Sequence, residues 1–151
     1  MAEPKRTVEK PFYDATKSVF KSMLDMEITR ADSPEKADAG KDVTVTISLT
    51  GDYSGDVVFR FPQATTLNIV KTLSGMDISQ VDDFATSMLG EMANIISGNA
   101  VSALSETDCR CDIRPPKITL GNGLEQTEGG DSVALRSGAG DLREQFRLAQ
   151  S

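Results

Sequence analysis

Residues 43 to 50 read Val-Thr-Val-Thr-Ile-Ser-Leu-Thr, and no other stretch restricts the fold as tightly. Side chains alternate across a strand with period two. Val43, Val45, Ile47 and Leu49 therefore share one face, and Thr44, Thr46, Ser48 and Thr50 share the other. Such a strand covers a core on one side only. Gly51-Asp52-Tyr53-Ser54-Gly55 follows as a turn signal. Beyond it Val57, Phe59 and Phe61 alternate again, which predicts an antiparallel hairpin. The apolar face of that hairpin needs a cover, and the flanking segments have the period to supply one.

Residues 7 to 26 carry Phe12, Ala15, Val19, Phe20, Met23 and Leu24 at helical spacing, with Pro11 suited to a first turn. After the hairpin, Pro62 opens a second helix with Leu67, Val70 and Leu73 on its apolar face. Ser74-Gly75 closes it. A third helix is expected from Ser79, its cap, to about Ser105. Asp32-Ser33-Pro34 through Gly40 is expected as a polar loop. Residues 107 to 120 read as two short strands broken by Pro115-Pro116. A flexible loop is expected between Gly121-Asn122-Gly123 and Glu128-Gly129-Gly130. Strands at 131–136 and 141–149 around Gly138-Ala139-Gly140 make a second hairpin, with Leu142, Phe146 and Leu148 on one face. Runs of strands separated by runs of helices indicate an α+β fold with helices packed on a largely antiparallel sheet. Residues 1–151 are expected to form one domain.

Several chemistries lack their residues. The chain has no histidine, which removes Ser-His and Cys-His pairs and His-containing metal sites. Cys109 and Cys111, its two cysteines, are expected as small apolar members of a packed face. The net charge of −7 disfavours nucleic acid, whose binding draws on clustered Lys and Arg. No apolar run approaches the length of a membrane span. Met1-Ala2-Glu3-Pro4-Lys5-Arg6 lacks the apolar core of a secretory signal, so a cytoplasmic location is expected. Gly121-x-Gly123 lacks the Gly-Lys-Ser/Thr and the helix of a phosphate loop. Ser97 and Ser105 have no adjacent base. Asp82-Asp83 suits a helix start, where carboxylates complement the dipole.

The third helix is two-faced. Ala85, Leu89, Met92, Ile96 and Ala103 form an apolar stripe. Opposite it, Ser87, Glu91, Asn94, Gly98, Ser102 and Ser105 stack one above another. An ordinary solvated face carries good helix formers such as Lys, Glu and Arg. This one uses Ser and Gly, which weaken a helix, around one carboxylate and one carboxamide. It is thin enough for a close approach. Asn does not titrate near neutral pH, but its carboxamide accepts one hydrogen bond and donates another. That suits holding a water in a fixed direction, and positioning is what phosphoryl transfer asks of a protein.

Gly90-Glu91-Met92-Ala93-Asn94-Ile95-Ile96-Ser97-Gly98-Asn99-Ala100 resembles the signature of the CheC/CheX/FliY family of bacterial chemotaxis phosphatases. That signature has Glu, then Asn three residues on, then Gly four further, on a long helix. The opening Glu9-Lys10-Pro11-Phe12 and the order of elements are similar too, so the resemblance spans nearly the whole chain. Some members carry a second motif on the first helix. Here that stretch is Asp14-Ala15-Thr16-Lys17, which keeps neither position, so the single later motif is the CheX-type arrangement. The resemblance implies hydrolysis of the aspartyl phosphate of a CheY-type receiver. Asn94 would orient the attacking water, and Glu91 would pair with a receiver lysine. Gly98 with Ser87 and Ser102 would keep the docking surface clear. It implies no cofactor of the chain's own, with Mg²⁺ supplied by the receiver. It also implies a homodimer, which the open edges of a small sheet would favour. A non-catalytic module docking on a receiver or flagellar partner is the alternative.

Overall fold

The computed structural model describes residues 4–31, 42–120 and 131–150. Among them run three α-helices and seven strands: α1 (Pro4–Val19), β1 (Thr29–Arg30), β2 (Val43–Gly51), β3 (Tyr53–Phe61), α2 (Gln63–Ser74), α3 (Asp83–Ser105), β4 (Cys111–Ile113), β5 (Lys117–Leu120), β6 (Asp131–Ser137) and β7 (Gly140–Gln150). The α+β expectation holds. Every strand pairing is antiparallel, in the order β1-β6-β7-β3-β2-β4, with β5 also on β2.

The two expected hairpins form the centre of the sheet. β2 and β3 pair from Val43↔Phe61 to Leu49↔Gly55. β3 then meets β7 from Tyr53↔Gln150 to Arg60↔Arg143. Gly55 is required at that seam. Its φ is +133°, and a Cβ there would lie 2.1 Å from the Arg147 carbonyl oxygen. The core face carries Val43, Val45, Ile47 and Leu49 from β2, Val57, Phe59 and Phe61 from β3, and Leu142 and Phe146 from β7, all buried. α1 and α3 pack on each other and on this face. The Phe12 ring of α1 sits 6.3 Å from Phe59 and 5.7 Å from Phe146, centroid to centroid.

Several boundaries differ from the sequence expectation. α1 starts at Pro4, so Pro11 lies inside it. After Val19 the chain widens into a π-type turn, Phe20–Leu24, which Asp25 closes at φ 55°. Met23 faces out. The buried face of α2 is Thr65, Thr66, Ile69 and Val70, while Leu67 and Leu73 are only half-buried. Thr65 and Asn68 donate to the Asp141 and Ala139 carbonyls at 2.7 and 2.8 Å, fastening α2 to the β6–β7 turn. β1 was not foreseen. At two residues, paired with Leu135 and Arg136, it is too short to show periodicity. The Asp32–Gly40 loop and the whole Gly121–Gly130 loop fall outside the described residues.

Glu144 points into the core from β7 between Leu142 and Phe146, and it is 1% exposed. It meets the Thr16 hydroxyl of α1. That hydroxyl also lies 2.8 Å from the Phe12 carbonyl oxygen. A hydroxyl has one proton to give. With that proton on the Phe12 carbonyl, the Glu144 carboxyl must donate to Thr16. Burial pushes the Glu144 carboxyl up to about 8, which agrees with a protonated acid.

The cysteines behave as expected of packed residues. Cys109 is buried and Cys111 half-buried against the core. Burial, with Cys111 and Asp52 nearby, raises the Cys109 thiol to about 11, far from the range of a reactive thiolate.

Candidate functional site

The start of α3 is set three residues later than Ser79. Asp82 is the cap, its Oδ1 accepting from the Ala85 backbone N–H at 2.9 Å. Asp83 follows in the first turn, where the dipole favours it. From there the helix buries Ala85, Leu89, Gly90, Met92, Ala93, Ile96, Ser97, Ala100 and Leu104. The expected stripe is present but wider, and Ala103 is exposed.

Opposite the buried stripe the structure brings all the sequence-designated residues onto one surface. Ser87, Glu91 and Ser102 are exposed, while Asn94 and Gly98 are half-buried at its margin. Residues three apart on a helix hold their Cβ atoms about 5–6 Å from each other, so Glu91 and Asn94 can touch one partner at once. Among the described residues neither side chain has a hydrogen bond or an ion pair. Ser105 turns its hydroxyl back to the Ser102 carbonyl at 2.7 Å, so it is spent on the helix.

The two glycines of this segment do different things. At Gly90 a Cβ would meet Ile118 Cδ1 at 2.8 Å, so its bareness lets β5 close on the helix. At Gly98 a Cβ would meet nothing within 4 Å. Among the described residues no contact asks for a glycine there, although it costs the helix roughly 1 kcal/mol relative to alanine.

α1 offers no second copy of this surface. Asp14 is held by Lys10 at 2.9 Å, Lys17 sits 5.8 Å from the Tyr13 ring centre, and Thr16 is buried at Glu144. Sequence reasoning missed Phe84 and Ile118. Phe84 is 47% exposed and Ile118 38% exposed, both beside the Glu91 surface. Extending the helical spacing two turns upstream of Glu91 would have found Phe84. Nothing in the sequence reveals that β5 folds Ile118 over Gly90.

Among the described residues no group of three or more His, Cys, Asp or Glu could hold a metal ion, and no helix is long and apolar enough to cross a membrane. What α3 presents is an outward carboxamide, an outward carboxylate and a bare approach.

The family profile for chemotaxis phosphatase CheX matches residues 43–136. A Thermotoga maritima protein named CheY-P phosphatase CheX is 33% identical over 84 residues, which make up 55% of this chain and 54% of that one. The chain thus spans about half the length of the curated relative it matches. Among solved structures, the chemotaxis protein CheX from Vibrio vulnificus superposes with a TM-score of 0.81 at 22% identity, covering 98% of this chain and all of that one. The Borrelia burgdorferi CheX of a CheX-CheY-BeF₃-Mg²⁺ complex gives 0.75 at 24% identity, covering 95% and 98%. At these identities the two structures speak for the fold. The profile match takes in well over half of the chain, α3 and its Glu91–Asn94–Gly98 surface included, and the chain belongs to the chemotaxis phosphatase CheX family.

Proposed function

We propose that the chain is a phosphatase for the aspartyl phosphate of a CheY-type receiver, acting in the cytoplasm. The observation that carries this is the pair Glu91 and Asn94, unpartnered among the described residues and side by side on the bare face of α3. The named activity of the Thermotoga maritima relative supports it. So does the existence of a CheX-CheY complex for a protein of the same fold.

The chemistry divides between the two proteins. The receiver brings the acyl phosphate and the Mg²⁺ that neutralises its oxygens. Asn94, on a rigid helix, enters the receiver's site. There its carbonyl oxygen accepts a hydrogen bond from the attacking water and holds it toward phosphorus. Glu91 pairs with a receiver lysine and fixes how the helix lies. The test is decay of phosphorylated CheY with and without the protein. Acceleration supports the phosphatase. Binding without acceleration selects the non-catalytic docking module instead.

Gly98 gives a prediction in which stability and activity part. Gly98→Ala relieves a helix penalty and meets no neighbour, so thermal unfolding should rise by about 2–4 °C. The new methyl projects into the docking surface, so stimulated decay of phosphorylated CheY should fall. A variant that is both more stable and fully active would show that the bare face has no docking role.

We also propose a homodimer, on the family resemblance. The edge strands β1, β4 and β5 have two to four residues, and edges so short discourage strand addition. Such short edges give little drive for pairing two copies edge to edge. Light scattering at tens of micromolar should give twice the chain mass, and a monomer there would refute the dimer.

A further inference from the structure

The apolar side chains beside the Glu91–Asn94 surface have no place in the core. Phe84 and Ile118 stand outside the buried cluster, each a large apolar side chain left exposed at the surface. Phe84 is seven residues before Glu91, two helical turns or about 10 Å along the same line of α3, with Ser87 between them. Ile118 lies on the flank of the helix, its Cδ1 against the bare backbone of Gly90, next to Glu91. Around Phe84 the surface is acidic, with Asp82 and Asp83 exposed beside it and Glu91 beyond.

We propose that Phe84, with Ile118 beside it, is the anchor by which α3 selects its receiver: it seats in an apolar hollow next to the phosphoaspartate mouth, and basic side chains rim that hollow. The inference rests on the phosphatase reading. Any partner whose phosphoryl group reaches Asn94 must lie along α3, and the line of side chains that it covers includes Phe84. Aromatic side chains at the centre of an interface, ringed by polar groups that exclude water, carry most of its binding energy. The acidic rim requires a partner that is basic where it meets Asp82, Asp83 and Glu91, and it disfavours a second copy of this acidic chain. Glu91 and Asn94 answer to the phosphorylated site, which receivers have in common. Phe84 and Ile118 read the surface beside it, which distinguishes one receiver from another.

The test uses the whole protein with CheY activated by beryllofluoride and Mg²⁺, and phosphorylated CheY for decay. Phe84→Ala should raise Kd about tenfold while the saturated decay rate falls less than twofold. Phe84→Leu, which keeps an apolar side chain, should recover most of the affinity. Ile118→Ala should shift Kd in the same direction by a smaller factor. Thermal unfolding of the Phe84 variants should stay close to wild type, because the ring lies outside the buried core. Wild-type acceleration together with an unchanged Kd for Phe84→Ala would overturn the anchor alone. An unchanged Kd with altered self-association would assign the patch to a second copy and overturn it likewise. A wild-type protein that neither binds nor accelerates sinks the anchor and the phosphatase together.

Discussion

Asn94→Ala should return the decay of phosphorylated CheY to the receiver's own rate at saturating protein, if Asn94 positions the attacking water as proposed. A positioned dipole acting on a reacting group is worth on the order of 3 kcal/mol, about a hundredfold in rate. The loss falls on the saturated rate and spares binding, because the carboxamide matters most once the water begins to attack. Asn94 is half-buried and makes no internal hydrogen bond among the described residues, so its removal leaves the fold intact. Asn94→Asp fails as well, despite its equal size. It loses the N–H donor and carries a negative charge toward a phosphoryl group. Wild-type decay with Asn94→Ala would exclude water positioning and leave the docking module.

Glu91→Ala should fail in a different way. If its exposed carboxylate is the docking charge proposed above, its loss should raise the concentration of protein needed for half-maximal decay. The difference from wild type should shrink as salt screens the pair, since the Debye length falls from about 10 Å at 0.1 M to about 3 Å at 1 M. A loss independent of salt would refute the charge pair. Measured together, the two variants separate chemistry from docking on one helix face.

The elements with a strong period were legible in the sequence. The alternation from Val43 to Thr50 and the stripe Leu89, Met92, Ile96 each have one physical solution, and the structure adopts it. The Glu91–Asn94–Gly98 surface followed from the same period. Features set by contacts between distant segments were not legible. Gly90 is bare because Ile118, 28 residues later, arrives against it. The π-type turn at Phe20–Leu24 and the two-residue β1 have no periodic signature. The cap moved to Asp82 because a carboxylate three residues before the Ala85 N–H does what Ser79 would have done. In β7 the apolar alternation Leu142, Phe146, Leu148 hid a carboxyl at Glu144, which sequence alone would place in water.

Glu144 gives the largest expected effect on stability. In the unfolded chain its carboxyl titrates near 4.5, and in the folded protein burial raises this to about 8. A Thr16 hydroxyl turned to donate to the carboxylate would work against that shift, as Arg30 does, and Glu9 reinforces it. Below pH 4.5 both states hold the proton and the site costs nothing. Between 4.5 and 8 the folded state keeps a proton that the unfolded state has released, so stability falls as pH rises, by about 1.4 kcal/mol per pH unit. Above pH 8 both states are ionised and the loss levels off, at on the order of 5 kcal/mol. Glu144→Gln is isosteric and does not titrate, and its amide N–H can donate to Thr16 as the acid does. It should match wild type within about 1 kcal/mol at pH 5 and exceed it by a few kcal/mol at pH 8. Denaturant unfolding at the two pH values reads this directly. A Glu144→Gln advantage that does not change between pH 5 and 8 would mean that the buried carboxyl is already ionised in the folded protein. In that case Thr16 would have to give it the hydroxyl proton that the Phe12 carbonyl otherwise accepts.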